Sequence, residues 1–294
     1  MNAAIGMPED AAASAAANGF AQLGDTEFQF LREFVLQHCG IALGEHKRQL
    51  VQGRLARRLR ALRLDDFAAY CALLRRDPQS ELGELSSAIS TNVTAFFREA
   101  HHYELLEREL LPHWLAQKRR DSDRLRIWSA GCASGEEPYA LAMVLAEALE
   151  QASGSPDAKI LATDLSPQAL ETARKGVYPL ERLAGIDEAR RRRWMLRGED
   201  AYAGLACVHP RLRELVSFAP LNLLHAWPMS GPFDAIFCRN VVIYFDQPTK
   251  QRLFDRYAQM LPVGGYLFLG HSESLHGVST AFELVGRTVY RKVR

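Results

Sequence analysis

The chain has 294 residues, of which 48% are hydrophobic and 24% are charged, and its formal net charge at pH 7 is +1. This composition predicts a folded protein of one large or two smaller domains, and the balanced charge argues against a general nucleic-acid-binding protein. No apolar run reaches membrane-spanning length, and the first twenty residues lack the basic start and apolar core of a secretory signal. We therefore expect no insertion into a membrane and a cytoplasmic location.

The cysteines and histidines indicate neither a disulfide framework nor a metal centre. The five cysteines are widely spread without a C-x-x-C pair, which favours reduced thiols. Among the nine histidines His101 and His102 are adjacent, but no H-E-x-x-H spacing occurs. We therefore predict no metal site.

The N-terminal part of the chain is predicted to be helical. Residues 1–25 are biased toward Ala and Ser, and we expect them to form a disordered lead-in. From residue 26 to residue 120 the apolar positions recur at helical spacing without a convincing strand pattern. These residues predict an all-α N-terminal domain, followed by a charged linker, "KRRDSDR".

One predicted helix in this domain, "RQLVQGRLARRLRALR", has a strongly basic face. On a helical wheel its apolar residues share one narrow arc: Val51, Leu55, Leu59 and Leu62. Arginines cover the rest of the helix, which is either a solvated face or a contact surface for an acidic partner. The candidate contact residues are Arg54, Arg57 and Arg58.

From residue 121 to residue 294 predicted strands and helices alternate. Strands are predicted at "LRIWSA", "AKILATD", "LVSFAPL", "FDAIFCRN" and "GGYLFLGH", and helices at "EEPYALAMVLAEALEQ", "SPQALETARKG" and "QPTKQRLFDRYAQML". This alternation predicts an α/β domain with a mostly parallel sheet covered by helices on both faces. The final segments, "FELVG" and "TVYRKV", predict an antiparallel hairpin at the sheet edge.

The connection over about residues 177–214 is far longer than a helix-to-strand connection needs. It contains a charged helical piece followed by strand-like fragments. We interpret it as a small inserted subdomain that adds a binding surface.

The segment "WSAGCASGEEPYALA" combines a strand, a glycine turn and a helix, an arrangement that commonly holds phosphates at the helix N-terminus. Glu136 and Glu137 would repel a pyrophosphate. A nucleoside cofactor that carries an ammonium and a sulfonium group would instead be attracted, and S-adenosylmethionine is such a cofactor. We choose Glu136, nearer the glycines, as the cofactor-contacting acid, because acids also favour the first helical turn for unrelated reasons.

Asp164 ends the second predicted strand of the α/β domain. A carboxylate at that position can accept hydrogen bonds from ribose hydroxyls, although Asp also commonly begins a helix cap. The upstream glycine turn favours the ribose role.

Two other enzyme classes are disfavoured. A nicotinamide-dependent oxidoreductase would use a similar turn, but "GCASGEE" departs from G-x-G-x-x-G and presents acids to the phosphates. A serine hydrolase with Ser272 of "GHSES" as nucleophile lacks the second glycine of G-x-S-x-G. A cofactor-binding regulatory module without transfer activity remains an alternative.

Several motifs resemble the CheR family of chemotaxis receptor methyltransferases: "STNVTAFFRE", "WSAGCASGEEPYALA", "ATDLSPQALETARKGVYP", "NLL" at 222–224, "FDAIFCRNVVIYFD" and "GGYLFLGHSES". The resemblance implies a Rossmann-like class I methyltransferase sheet with a C-terminal antiparallel hairpin, a preceding all-α domain and an inserted β subdomain. It also implies methyl transfer from S-adenosylmethionine to glutamate side chains in the cytoplasmic domains of bacterial chemoreceptors, leaving S-adenosylhomocysteine. In some members the inserted subdomain binds a peptide at the receptor C-terminus, and the sequence does not decide whether this chain does.

The resemblance also implies a set of site residues. Cofactor contacts are expected from Asn92, Thr94, Arg98, Glu136, Asp164, Asn222, Leu223, Arg239 and Asn240. Arg98 and Tyr244 are expected near the methyl-transfer site. A glutamate carboxylate with a reference pKa of about 4.3 is ionised at neutral pH and needs no general base. Alignment of the reacting atoms is then the main task, and Arg98 could orient the carboxylate through two hydrogen bonds.

Overall fold

The computed structural model describes residues 22–90, 94–118, 123–154 and 156–294. Most of the predicted lead-in (residues 1–25) and of the predicted linker lies outside the described residues. At the start of the described chain Leu23 is buried, and its backbone N–H donates to the side-chain oxygen of Gln52 at 3.2 Å. Packed structure therefore begins before residue 26.

The N-terminal domain is built from helices, as predicted: α1 (Asp25–Cys39), α2 (Arg48–Leu62), α3 (Phe67–Arg76) and α4 (Pro78–Ile89). The side chains of Asp66 and Asp77 accept backbone N–H groups in the first turns of α3 and α4 and cap these helices. Along the apolar arc of α2, Val51, Leu55 and Leu59 are fully buried in the domain core. The helical spacing of apolar residues in the sequence therefore corresponds to the packed face of α2.

A second helical run connects this domain to the sheet. It consists of α5 (His101–Leu105), a π-helical turn (Leu106–Leu110) and α6 (Leu111–Gln117). Leu106, Leu110 and Leu111 are buried in the same core as the central strands. This run therefore belongs structurally to the larger domain.

The larger domain contains the strands of two sheets: β1 (Arg124–Ala130), β2 (Asp157–Asp164), β3 (Val177–Pro179), β4 (Met195–Arg197), β5 (Leu205–Val208), β6 (Val216–Pro220), β7 (Ala235–Cys238), β8 (Tyr266–Leu269), β9 (Phe282–Gly286) and β10 (Val289–Lys292). The main sheet has seven strands in the order β6-β2-β1-β7-β8-β10-β9. Strands β6, β2, β1, β7 and β8 are parallel, and β10 is antiparallel to both β8 and β9. The predicted α/β class and edge hairpin are confirmed.

Helices of this domain are α7 (Glu136–Gln151), α8 (Pro167–Lys175), α9 (Glu188–Trp194), α10 (Pro210–Leu215) and α11 (Gln247–Met260). Ser166 caps α8 by accepting the N–H of Ala169, as its position before Pro167 predicts. Helix α7 is buried continuously over its first three turns because it packs on the sheet and is covered by α6 and α10.

The inserted subdomain contains a three-stranded antiparallel sheet in the order β3-β5-β4. Helix α9 lies between β3 and β4 in the chain, and α10 follows β5. The expectation of a small inserted β subdomain is confirmed.

Within the described ranges, no helix combines the length and apolar character that a transmembrane segment requires.

Candidate functional site

A cavity of about 360 Å³ lies between the helical domain and the carboxyl ends of the parallel strands. This is the edge at which open α/β sheets bind ligands. The helical domain and the segment after it contribute Cys39, Ile41, Ser86, Ser90, Thr94 and Arg98. The strand ends and following loops contribute Gly131, Ala133, Glu137, Asp164, Leu165, Leu221, Asn222, Leu223, Arg239, Asn240, Val241, Ile243, Tyr244, Phe245, His271 and Ser272.

The loop after β1 forms one wall of this cavity. Gly131 and Gly135 have φ angles of 97° and 98°, a backbone region that favours glycine. A Cβ atom on Gly131 would lie 2.4 Å from Cγ2 of Val241. Glycine is therefore required there both by the backbone angle and by the close approach of the loop that follows β7.

Asp164 lies at the end of β2 and contacts this loop. Its Oδ2 accepts the N–H of Ala133 and its Oδ1 accepts the N–H of Ser166, each at 2.8 Å. Burial raises the pKa of Asp164, and the backbone donors act in the opposite direction. The carboxylate therefore organises the helix start, as the cap interpretation expects, and also lines the cavity. A ribose role stays a prediction.

The two adjacent acids of the glycine loop point to different places. Glu137 lines the cavity, where its Oε1 accepts from Ser129 Oγ at 2.7 Å. Glu136 is fully buried outside the lining, with Oε1 at 2.6 Å from Arg182 Nη2 and Oε2 accepting from Ser134 Oγ at 2.7 Å. The structure thus favours Glu137 over the sequence-based choice, because the first turn of α7 directs Glu136 toward the inserted subdomain.

Arg239, the residue after β7, connects the cavity wall to the segment before α5. Its Nη1 donates to Glu137 Oε2 at 3.0 Å, and its Nη2 lies 3.4 Å from Glu99 Oε2 and donates to the carbonyl oxygen of Arg98. The Arg239 side chain is 2% exposed. Burial opposes ionisation of Glu99, but Arg239 and His271 outweigh it and lower the pKa of Glu99 to about 2.

Arg98 is held in the cavity wall by an unusual backbone. Its neighbours Phe97 and Glu99 have φ angles of 53° and 59°, a backbone region that non-glycine residues adopt rarely. Glu99 Oε1 also accepts from the backbone N–H of His271 at 3.1 Å and lies 3.0 Å from its Nδ1. Nothing in the sequence singles out Glu99 or His271, apart from their places in "TAFFRE" and "GHSES".

Of the other residues predicted near Arg98, Thr94 lines the cavity and Asn92 lies outside the described residues. Asn222, in the loop after β6, donates its side-chain amide N–H to the carbonyl oxygen of His38 at 2.8 Å and accepts the N–H of Leu224 at 2.9 Å. Asn222 therefore ties its loop to α1. The next residue, Leu223, lines the cavity as a largely buried apolar group.

The loop after Arg239 carries Asn240 and Tyr244, which both line the cavity. Glu273, a residue that the sequence analysis missed, is buried and accepts the backbone N–H groups of Gly270 and Asn240 at 2.6 and 2.9 Å. The carbonyl oxygen of Tyr244 accepts the N–H of Ala42 at 2.8 Å. This loop is therefore anchored on one side by Glu273 and on the other by the helical domain.

Glu99, His101 and His102 bring possible metal-ligand atoms within 4.8 Å of one another. However, His101 Nε2 lies 3.1 Å from the carbonyl oxygen of Arg287, and His102 Nε2 lies 3.0 Å from Thr288 Oγ1. We assign no metal to this cluster.

The basic face of α2 requires a correction. Arg54 Nη1 donates to carbonyl oxygens at the end of α4, including that of Ser90 at 2.8 Å. Arg58 forms a two-pronged ion pair with buried Glu81, with N–O distances of 2.7 and 2.6 Å. Arg54 and Arg58 are therefore half-buried and paired with acceptors on α4, which does not fit a fully solvated face, and the substrate-contact role of the three arginines stays a prediction. Arg57 is exposed.

This geometry predicts different effects for adjacent arginines. Arg58→Ala should lower the free energy of unfolding by about 3 kcal/mol, because the buried carboxylate of Glu81 loses its counter-charge. Arg57→Ala, the matched control, should change it by less than about 0.5 kcal/mol. Urea denaturation measures both, and equal losses in the two variants would contradict the assignment.

Comparisons with known proteins agree with this architecture. The family description "CheR methyltransferase, all-alpha domain" matches residues 26–90, and "CheR methyltransferase, SAM binding domain" matches residues 92–291. Chemotaxis protein methyltransferase 2 of Pseudomonas aeruginosa is 47% identical over 90% of this chain and 92% of its own length. The chemotaxis protein methyltransferases of Escherichia coli and Klebsiella aerogenes are each 43% identical, over 91% of this chain and 91% and 90% of their own lengths. The chain therefore belongs to the CheR methyltransferase family and is an S-adenosylmethionine-dependent methyltransferase.

Proposed function

We propose that this enzyme methylates glutamate side-chain carboxylates in the cytoplasmic domains of chemoreceptors and so forms methyl esters. The observation that carries the proposal is the shared cavity of Glu137, Asp164, Arg98 and Tyr244 at the carboxyl ends of the strands. It combines acids suited to a positively charged nucleoside with an arginine suited to a carboxylate. The relatives named as chemotaxis methyltransferases support the substrate class.

The donor set of the cavity fits S-adenosylmethionine. Glu137 offers a carboxylate for an ammonium group, and Asp164 retains acceptor capacity for ribose hydroxyls beside the backbone N–H groups of Ala133 and Ser166. Leu223 supplies an apolar surface for a base, and Asn222 acts by fixing its loop. When bound, the cofactor supplies a methyl group activated by a positively charged sulfur.

The chain's own residues have an alignment task. The incoming glutamate carboxylate is already ionised near neutral pH, so no side chain has to remove a proton from it. Arg98 can orient this carboxylate with two parallel hydrogen bonds, and Tyr244 can supply a further polar contact. Arg239 is occupied by Glu99 and Glu137 and acts by holding the backbone of Arg98 in place.

Receptor recognition would use surfaces outside the cavity. Exposed Arg57 on α2 can attract an acidic receptor helix. The outer strands of the small sheet, with exposed Val177 on β3 and Leu196 on β4, offer open edges to a receptor C-terminal peptide. A cytoplasmic reaction suits the five cysteines, all of which are free thiols.

We expect the enzyme to bind S-adenosyl nucleosides in preference to NAD. Titration calorimetry should detect binding of S-adenosylmethionine and S-adenosylhomocysteine but not of NAD. Asp164→Asn should weaken nucleoside binding about tenfold or more, because an amide nitrogen then faces a backbone N–H and one acceptor is lost. Exposed Asp255 on α11 gives a control, since Asp255→Asn should leave the affinity unchanged. Tighter binding of NAD than of either nucleoside would contradict the cofactor site.

Transfer itself is tested with methyl-labelled S-adenosylmethionine and receptor cytoplasmic fragments. Labelled fragments are the expected result. Cofactor binding with no transfer to any fragment would favour the regulatory module instead.

A further inference from the structure

The start of the inserted subdomain is in direct contact with the glycine loop of the cofactor site. Tyr178 of β3 donates its hydroxyl to the carbonyl oxygen of Ser134 at 2.7 Å. Arg182, in the 3₁₀ turn that follows β3, lies with Nη2 at 2.6 Å from Glu136 Oε1 and donates to Ser134 Oγ at 3.3 Å. Both residues therefore contact the loop from the subdomain side, while Glu137 faces the cavity.

The ion pair is unequal in its exposure. Glu136 is 0% exposed, whereas the Arg182 side chain is 36% exposed and reaches inward from the surface. A buried carboxylate is costly unless a counter-charge and hydrogen bonds compensate it. Ser134 supplies a hydrogen bond, and Arg182 supplies the positive charge.

Close packing makes the contact rigid. A Cβ atom on Gly135 would lie 2.8 Å from the hydroxyl oxygen of Tyr178. The rings of Phe96 and Tyr178 meet edge to face at 5.2 Å, and a Cβ atom on Gly185 would lie 2.1 Å from the carbonyl oxygen of Phe96. The same segment, residues 178–185, thus touches the glycine loop and the chain two residues before Arg98.

We propose that Arg182 is a positioning residue for the cofactor: by holding Glu136 it sets the first turn of α7, and with it the direction of the Glu137 carboxylate. Since Glu136 and Glu137 are adjacent in one helical turn, a displacement of the first moves the second. The inserted subdomain and the cofactor site are then coupled energetically. By linkage, any ligand that shifts residues 178–185 changes cofactor affinity, and the cofactor changes the affinity for that ligand by the same factor.

Calorimetric titration of the full chain with S-adenosylhomocysteine tests the proposal. Arg182→Gln should raise the Kd about tenfold, the usual size for loss of one charge-assisted contact. Arg192 is the matched control, since it lies in the same subdomain, is 79% exposed and pairs with exposed Glu188. Arg192→Gln should leave the Kd within about twofold of wild type. An unchanged Kd in folded Arg182→Gln would overturn the proposal.

A double-mutant cycle tests whether Arg182 acts through Glu136. Glu136→Gln alone should raise the Kd as Arg182→Gln does, and the double variant should show no further loss, because both changes remove the same contact. Additive losses in the double variant would show that Arg182 does not act through Glu136. If Arg182→Gln fails to fold, Tyr178→Phe removes only the hydroxyl that contacts Ser134. It should raise the Kd about threefold, and a wild-type Kd would overturn the coupling.

Discussion

Replacing Arg98 with alanine should lower methyl transfer to receptor fragments about a hundredfold while weakening S-adenosylhomocysteine binding much less. The side chain lines the cavity, and loss of a group that aligns the acceptor typically costs this much in rate. The contact of Arg239 with the carbonyl oxygen of residue 98 is kept in the variant, and circular dichroism checks that the variant is folded. Rates and calorimetric Kd values measured on the same preparation separate the two effects.

Two further variants sharpen this prediction. Arg98→Lys keeps the positive charge but loses the planar guanidinium group that can donate two parallel hydrogen bonds. The rate of methyl transfer should therefore fall about tenfold. Asp164→Asn should show the opposite pattern, with a defect mainly in cofactor binding. If Arg98→Ala loses only as much rate as its cofactor affinity explains, Arg98 is a cofactor contact and the acceptor is aligned by another group.

Arg239→Met should lower the free energy of unfolding at pH 7 by about 3 to 5 kcal/mol. The guanidinium is almost fully buried between Glu99 and Glu137, so its removal leaves two carboxylates without their counter-charge. Arg291 is a suitable control because it forms an exposed ion pair with Glu283 at 3.4 Å. Arg291→Met should cost less than about 1 kcal/mol in the same urea titration.

The pH dependence of this loss has a definite sign. The pKa of Glu99 is about 2 in the folded protein, below its ordinary value of 4.5. The wild-type protein therefore gains stability from Glu99 above about pH 4.5 and loses it as the pH falls toward 2. Because the variant lacks this gain, the difference between the two proteins should shrink below about pH 4.5. A difference that stays constant from pH 7 down to about pH 3 would contradict the proposed charge pairing.

Local signals account for the parts of the fold that the sequence predicted. Strand β7 is buried on both faces and reads as a continuous apolar run, and Ser166 with Pro167 marks the start of α8. The inserted subdomain was identified by the length of its connection, but its strand order depends on pairing between distant residues. The hydrophobic pattern of one segment does not indicate which residues of another strand it pairs with.

The side-chain surroundings that the sequence does not predict depend on contacts between elements that are distant in the chain. Adjacent positions on a helix are separated by about 100°, so only one of Glu136 and Glu137 can face the cavity, and tertiary packing decides which. The helical wheel identified the side of α2 that is not apolar, but Arg54 and Arg58 find acceptors on α4, which the wheel does not contain. Glu99 contributes to the site through its ion pair with Arg239, a residue distant in the sequence.

The most direct test of the central claim is to map where the methyl group goes. Receptor fragments labelled with methyl-tritiated S-adenosylmethionine and this enzyme are digested, and each labelled peptide is sequenced before and after mild base. We predict label on glutamate residues, released by base as methanol, as expected of a carboxyl methyl ester. Base-stable label on lysine, arginine or any other side chain would contradict glutamate methylation, as would absence of label from an enzyme that binds S-adenosylhomocysteine.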